Sequence, residues 1–336
     1  MVNFMKKLSS LLVSVFLYGT SHAAVIDVHN HYIGDEYVSY LEANNLSLKE
    51  GFPLPKWSLE NDSSFMKEAG IDKSVLTLAP IHPYVDKSSA MFIRTLNQNM
   101  YKVKQDNPDK YLFCATLPLT NVDDAVKEAV YALDELHADG ISLGSNIDGQ
   151  YLGDTELEPL MKVLNDRGAV VIIHPHKPYG LADQLFRTTP LAMFEYPADT
   201  TRAVVNLVMH NTLVKYNKIK MVVPHGGSFL GLTIPRMKAI YPVVKERNLV
   251  GDIDIDANIS RLYFDIAGVQ SVAVIKGMLA YTDPTKILYG SDYPYFKKEV
   301  LIKNMEKLRH EMSLDKDIAA YEESIFSKNA EKLFNL

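Results

Sequence analysis

The chain has 336 residues, a single cysteine and a formal net charge of −6. Its apolar fraction of 47% is ordinary for a globular protein, and the length suits one large domain. With only Cys114, an internal disulfide is excluded, so stability must come from a sizeable core. The acidic balance and the scattered basic residues argue against a nucleic-acid partner.

The first 23 residues have the pattern of a secretory signal peptide. Lys6 and Lys7 form a positive start, residues 11–18 form an apolar run, and Ser21-His22-Ala23 is a small-x-small cleavage site. The apolar run is well short of the ~20 residues needed to cross a bilayer, which argues against a membrane anchor. We therefore expect a periplasmic or secreted protein with no membrane attachment after cleavage. Cleavage removes two lysines and no acids, so the mature chain has a net charge of −8.

Short β-rich runs alternate with longer amphipathic segments through the mature chain. Eight strands are predicted, at residues 25–29, 73–79, 111–117, 140–145, 169–174, 220–225, 261–266 and 286–289. Helices are predicted at residues 90–105, 122–138, 157–167, 201–216 and 269–280. Eight successive β-then-α units indicate an α/β protein with a (β/α)8 TIM barrel in one domain, residues 24–336. A doubly wound open sheet is the alternative.

An insertion follows the first strand. Residues 32–72 contain Pro53, Pro55 and the only tryptophan, Trp57, and we expect them to fold over the barrel mouth.

In a barrel of this type the functional residues lie at the carboxyl ends of the strands. Residues i and i+2 of an extended chain face the same side, so His29 and His31 offer two imidazoles to one point. Other strand ends carry His174-Pro175-His176, His225-Gly226-Gly227 and Ser291-Asp292-Tyr293-Pro294.

These strand ends together predict a metal site. His29, His31, His174 and Asp292 make a nitrogen-rich set that would hold one zinc or similar divalent ion and leave a position for water. The ion would lower the pKa of that water toward ~7. Asp292 is also expected to be catalytic by taking the proton of the water, with His225 beside it as general acid or base. The fourth strand end, residues 141–146, has no lysine to bridge a second metal, so one metal is expected.

These motifs resemble those of the amidohydrolase superfamily, in the amidohydrolase-related branch that contains aminocarboxymuconate semialdehyde decarboxylase. Further matches are Ala115-Thr116-Leu117-Pro118-Leu119, residues 140–146, Pro197-Ala198-Asp199-Thr200-Thr201 and residues 329–334. The resemblance implies a distorted TIM barrel that usually binds one zinc and sometimes manganese. It also implies a C–C lyase that removes carboxylate from an aromatic or unsaturated acid, although some members are hydratases or hydrolases.

The resemblance also implies roles for single residues. His29, His31, His174 and Asp292 fall on its ligand positions, and His225 falls on its catalytic histidine. Arg236 falls on an arginine that binds the substrate carboxylate, in some members from the neighbouring subunit of a homodimer. A guanidinium group suits this role because it can donate two parallel hydrogen bonds to a carboxylate. A surface helix residue is the alternative for Arg236. His176 replaces a tryptophan of the named decarboxylase, so we expect it to contact a different substrate.

We therefore predict an exported enzyme with one metal ion that acts on a small carboxylated, cyclic or unsaturated substrate, as a decarboxylase. A metal-dependent hydrolase of a lactone or amide is an alternative, and a non-catalytic metal- or ligand-binding protein is another. Asp265, near the end of the seventh predicted strand, is expected either to hydrogen-bond a ligand histidine or to be structural.

Overall fold

The computed structural model describes residues 24–46, 53–78, 89–180 and 189–336. The predicted signal peptide, residues 1–23, lies outside this part of the chain, and so does Ala79 at the end of the second predicted strand. No helix in the described residues combines the length and the apolar character needed to cross a membrane.

Eight parallel strands form the central sheet of the described chain, in the order in which they occur in the sequence. A short antiparallel hairpin, β5 and β6, stands outside that sheet. The strands are β1 (Ile26–Tyr32), β2 (Lys73–Leu78), β3 (Tyr111–Thr116), β4 (Gly140–Gly144), β5 (Asn146–Ile147), β6 (Gln150–Tyr151), β7 (Val170–His174), β8 (Lys220–Val223), β9 (Tyr263–Asp265) and β10 (Ile287–Leu288).

Backbone hydrogen bonds bring the end of the sheet back to its first strand. Val28 N–H donates to Tyr289 O at 3.0 Å, and His31 N–H donates to Tyr293 O at 2.9 Å. These contacts nearly close the sheet into a barrel, which confirms the predicted (β/α)8 fold over the open-sheet alternative.

Helices between the strands cover the outside of the barrel, and two more helices follow the last strand. They are α1 (Asp35–Ala43), α2 (Leu59–Ala69), α3 (Ser89–Asp106), α4 (Val122–Asp134), α5 (Glu158–Asp166), α6 (Leu191–Met209), α7 (Thr212–Lys215), α8 (Leu230–Glu246), α9 (Ile255–Ile259), α10 (Val272–Met278), α11 (Lys298–Leu314) and α12 (Asn329–Phe334). The predicted insertion after the first strand contributes α1 and α2.

The strand sequences are almost continuously apolar because both faces of the sheet are buried inside the protein. Side chains from seven strands meet in an inner cluster, with Val28, Cys114 and Ile172 among them. Leu333 and Phe334 of α12 complete that cluster, and Lys220, the first residue of β8, donates from Nζ to Leu333 O at 3.0 Å. Helix α12 therefore closes the amino-terminal end of the barrel and leaves the carboxyl-terminal end for a site.

Three boundaries differ from the sequence prediction near the site. Helix α6 begins at Leu191 rather than at residue 201, because the chain stays helical through Pro197. The predicted helix 201–216 is instead divided between α6 and α7, since Asn211 takes a left-handed φ of 51°. Strand β8 ends at Val223, and His225–Gly227 form a single 3-10 turn beyond it.

Candidate metal centre and active site

The two histidines of β1 reach the barrel interior because the strand is irregular. Val28 packs in the inner cluster, and regular alternation would place Asn30 inside with it. The pairing of β1 with β2 shifts register between Asp27 and Asn30, and Asn30 instead donates from Nδ2 to Asp62 of α2 at 2.8 Å. His29 and His31 therefore face inward. The sequence analysis placed them at the end of a regular strand, whereas β1 is irregular at this point.

The four predicted ligand side chains lie together around His29 and His31. The Nε2 atoms of His29 and His31 are 3.2 Å apart, and Asp292 Oδ1 lies 3.2 Å from His31 Nε2 and 3.7 Å from His29 Nε2. One ligand atom each from His29, His31 and His174 lies within 4.8 Å of the others. Tetrahedral ligands about 2.1 Å from a zinc ion are about 3.4 Å apart. The distances among His29, His31 and Asp292 therefore match the spacing of a metal site, and His174 lies beside them.

The hydrogen bonds of the three imidazoles leave their Nε2 atoms available for a metal. His29 Nδ1 lies 3.0 Å from the Asp265 carboxylate and His174 Nδ1 lies 3.0 Å from the Pro175 carbonyl, and both oxygens can only accept. Thr77 donates its hydroxyl hydrogen to Asn30 O at 3.1 Å, so its oxygen accepts from His31 Nδ1–H at 3.2 Å. Each neutral ring thus carries its proton on Nδ1 and a lone pair on Nε2.

This arrangement fits a divalent cation. When both rings are neutral, the facing lone pairs of His29 and His31 repel each other, so a proton or a metal ion between the two Nε2 atoms is favoured. Burial lowers the pKa of His174 well below its usual value and also lowers that of His31, so both rings are neutral at neutral pH. Burial also disfavours charge on His29, but Asp265 and Asp292 outweigh it and raise the His29 pKa to about 9. The carboxylates therefore attract a positive charge to this point.

Asp292 and His225 face each other at the edge of the cluster. His225 Nε2 lies 3.8 Å from Asp292 Oδ2, and both side chains are 15% exposed. Burial raises the pKa of Asp292, but the neighbouring histidines His225, His31 and His29 outweigh it and hold that pKa well below its usual value. His29, His225 and Asp292 form a second group with ligand atoms within 4.8 Å, so His225 is close enough to act on anything bound at the centre.

Both residues have a left-handed backbone conformation, which is uncommon for residues other than glycine. His225 has a φ of 56° and Asp292 a φ of 66°, in the left-handed region that disfavours side chains with a Cβ. Asp292 N–H donates to His29 O at 2.9 Å, and His225 N–H donates to Asp265 Oδ1 at 3.1 Å. These bonds hold the two strained residues against the ligand cluster.

Asp265, at the end of β9, connects the predicted ligand His29 to the 3-10 turn His225–Gly227. Its carboxylate accepts from His29 Nδ1–H and from the backbone N–H groups of His225 and Ala267, all within 3.1 Å. Burial raises the pKa of Asp265, but the charge and hydrogen bond of His29 outweigh it and lower that pKa. The hydrogen-bonding role that the sequence left open for Asp265 is therefore the one that it has in the structure.

A cavity of about 360 Å³ opens from the cluster, within the size range of small-molecule sites. His174, His225 and Asp292 form its polar end. Apolar and aromatic side chains form most of the remaining wall in the described chain, namely Ala192, Met193, Tyr196, Pro197, Ala267, Val269, Tyr295 and Phe296.

Two predicted substrate-binding residues are absent from the cavity lining formed by the described residues. Arg236 is exposed on α8. His176 is 9% exposed and packs over β4, where a Cβ added to Gly144 would lie 2.3 Å from its Cδ2 atom. The role of either residue in substrate binding stays a prediction.

The sequence analysis did not predict that α6 forms part of the cavity wall. Met193 and Tyr196 precede Pro197, whereas the predicted helix began only at residue 201. The motif Pro197-Ala198-Asp199 marked this region but did not reveal its contacts.

The fold and the site together define a TIM-barrel protein with a histidine-rich centre that could hold a metal at the carboxyl ends of its strands. The family model described as Amidohydrolase matches residues 26–336, and the chain belongs to this family. It is 32% identical over 297 residues to a decarboxylase, macB, of Penicillium terrestre, covering 83% of this chain and 86% of that protein. It is 30% identical over 292 residues to the 6-methylsalicylic acid decarboxylase of Penicillium expansum, covering 83% and 88%.

A solved structure of a 5-carboxyvanillate decarboxylase from Novosphingobium aromaticivorans has the same fold and contains bound manganese. Its TM-score is 0.80 at 18% identity, over 95% of this chain and 99% of that one. The comparisons confirm the resemblance to the amidohydrolase-related branch. They also confirm that the chain is an enzyme, a metal-dependent lyase or hydrolase of this superfamily.

Proposed function

We propose that the chain is a decarboxylase that removes carbon dioxide from a small aromatic carboxylic acid at a single metal ion. The observation that carries this proposal is the position of the ligand cluster and His225 at the polar end of a cavity with mostly apolar walls. The decarboxylase names of the relatives support the same reaction class. An aromatic ring suits walls that contain Met193, Tyr196 and Phe296.

The residues that would hold the ion are His29, His31, His174 and Asp292. Three imidazole nitrogens and one carboxylate suit zinc, with manganese as the alternative. When bound, such an ion supplies a positive charge that can hold the substrate carboxylate and lower the pKa of a bound water. Asp265 and Thr77 keep the Nε2 lone pairs of His29 and His31 directed at that position.

Decarboxylation exchanges a carboxylate for a proton. The bond between the ring carbon and the carboxyl carbon breaks, carbon dioxide leaves, and the bonding electron pair stays with the ring carbon, where a proton forms the new C–H bond. We assign delivery of that proton to Nε2 of His225, which lies on the cavity wall 3.8 Å from Asp292. Asp292, whose pKa is held well below its usual value, stays ionised and stabilises the protonated imidazole between turnovers.

The first test is a substrate panel in which carbon dioxide release and formation of new acid are followed separately. The panel contains hydroxybenzoates, 6-methylsalicylate, 5-carboxyvanillate and simple lactones, with zinc or manganese added to the mature protein. Carbon dioxide release that depends on the metal supports the proposal. Acid formation from the lactones alone would indicate a hydrolase, and metal binding without turnover on any of these compounds would contradict the proposed substrate class.

We further propose that the enzyme works as a homodimer in which Arg236 binds substrate from the partner. Helix α8 buries only Leu230 and Ile234 and exposes Leu232 and Val243, so a second copy of the chain could cover this apolar face. Sedimentation of a dimer, with a raised KM in Arg236→Gln, would support this assignment. A monomer with unchanged KM in that variant would contradict it.

We also propose export with cleavage after Ala23, on the signal pattern of residues 1–23. Amino-terminal sequencing of the protein recovered outside the cytoplasm tests this proposal. A mature chain that begins at Ala24 is expected, and a full-length intracellular protein would contradict it.

A further inference from the structure

The carboxylate of Asp199 is wholly buried and accepts hydrogen bonds from four side chains. Oδ2 accepts from the Ser145 hydroxyl at 2.5 Å and from Asn146 Nδ2 at 2.6 Å. Oδ1 accepts from the Tyr151 hydroxyl at 2.5 Å and from Arg202 Nη1 at 2.9 Å. All four partners donate, so the acceptor capacity of an ionised carboxylate is largely used here. We call this set the Asp199 network.

Ser145 connects this network to a predicted metal ligand. It directly follows β4, and its backbone N–H donates to His174 O at 2.8 Å. Its hydroxyl oxygen accepts from His176 N–H at 2.9 Å. Ser145 thus holds the short segment His174-Pro175-His176 at both ends.

Asp199 determines the orientation of the Ser145 hydroxyl. Because that hydroxyl donates its one hydrogen to Asp199, its oxygen is turned to accept from His176 N–H. The held segment contains the Pro175 carbonyl that accepts from His174 Nδ1–H at 3.0 Å. That bond keeps the His174 lone pair on Nε2, where a metal would bind.

The same residue connects the ligand segment to the cavity wall. Asp199 lies on α6, whose earlier turns supply Met193, Tyr196 and Pro197 to the cavity. The wall and the ligand His174 are therefore joined through a single buried carboxylate. Movement of α6 against β4 would break bonds that hold the ligand segment.

We propose that Asp199 is a positioning residue that acts through Ser145 to fix the orientation of His174 for metal binding. This inference rests on the metal centre of the proposed function but not on decarboxylation. In Asp199→Asn the new amide would present N–H groups to partners that also donate, and Ser145→Ala would remove only the connecting hydroxyl. Each change is expected to weaken metal binding by about 10- to 100-fold, the usual range for residues that support a ligand.

The test measures the affinity of each purified protein for Co²⁺ by competition with a chelator, together with the visible absorption spectrum of the bound cobalt. Wild type, Asp199→Asn, Ser145→Ala and the control Tyr151→Phe are compared. Tyr151→Phe removes one donor to Asp199 but leaves the Ser145 connection intact. The melting temperature of each metal-free protein separates a loss of stability from a loss of ligand geometry.

We expect weaker binding and an altered cobalt spectrum in both Asp199→Asn and Ser145→Ala, and wild-type values in Tyr151→Phe. If Asp199→Asn fails to fold, Ser145→Ala decides alone. Wild-type affinity and spectrum in folded Ser145→Ala would overturn the inference, and so would an equal loss of affinity in Tyr151→Phe. A wild-type chain that binds no cobalt would overturn the metal centre as well, whereas metal binding without decarboxylation would leave this inference intact.

Discussion

The carboxylate of Asp265 accepts a hydrogen bond from His29 Nδ1–H across 3.0 Å, and both side chains are buried. This bond fixes the tautomer of His29, so we expect Asp265→Asn to weaken metal binding by about 10- to 100-fold. Chelator competition measures the change. The matched control is Asp139→Asn, since Asp139 instead accepts from Lys104 and Phe113 N–H. Equal affinity in Asp265→Asn and wild type would contradict the assigned role.

His225→Gln should abolish most of the activity and leave the metal in place. An acid–base group contributes about 10²- to 10⁴-fold to a rate, so kcat should fall within that range. His310→Gln, at an exposed position on α11, serves as the control and should keep full activity. Turnover and elemental analysis are measured on the same samples. Loss of the ion from His225→Gln would instead assign His225 as a ligand, as the second group of His29, His225 and Asp292 allows.

Metal uptake near neutral pH should release about one proton per ion. The carboxylates raise the pKa of His29 to about 9 against the effect of burial, so that ring is protonated at neutral pH and must lose its proton to bind. His31 and His174 have lowered pKa values and are already neutral. Affinity should therefore rise about tenfold per pH unit and level off above pH about 9. Calorimetry in buffers of different ionisation enthalpy counts the protons, and no release at neutral pH would refute the assigned protonation.

Gly290→Ala should destabilise the fold beside the metal centre. A Cβ at this position would lie 2.8 Å from His29 Cβ and 3.2 Å from Ala267 Cβ, so the last strand would have to move away from β1. Overpacking of this kind costs about 1–3 kcal/mol in the free energy of unfolding. Gly251→Ala is the control, because nothing lies within 4 Å of its added Cβ. Urea denaturation gives both values, and equal stability of the two variants would contradict the predicted clash.

The sequence was sufficient to predict the barrel because strand runs such as residues 111–117 and 169–174 are apolar and regularly spaced. It also selected His29, His31, His174, His225 and Asp292, whose side chains lie close together in the structure, since each lies at or near the end of a predicted strand. It could not identify Asp199, whose importance depends on contacts with Ser145 and Tyr151, about fifty residues earlier in the chain. Nor could it reveal the register shift in β1, because alternation alone does not indicate where a strand becomes irregular.

Pro197 shows a similar limit of sequence reasoning. Proline lacks the N–H that an interior helix position donates, so the pattern favours a helix that starts beyond it. In the folded chain Pro197 stays within α6, where it lines the cavity, and its carbonyl accepts from the Thr201 hydroxyl at 2.8 Å. The helix therefore starts ten residues before the predicted residue 201, and its first turns form part of the apolar wall of the cavity.

The central claim is one metal ion held by His29, His31, His174 and Asp292. Elemental analysis of the mature protein, beside an Asp292→Ala variant, tests it most directly. We predict about one zinc or manganese ion per chain in the wild type and loss of that ion in Asp292→Ala. Two ions per chain, no ion after supplementation with either metal, or full retention in Asp292→Ala would contradict the account.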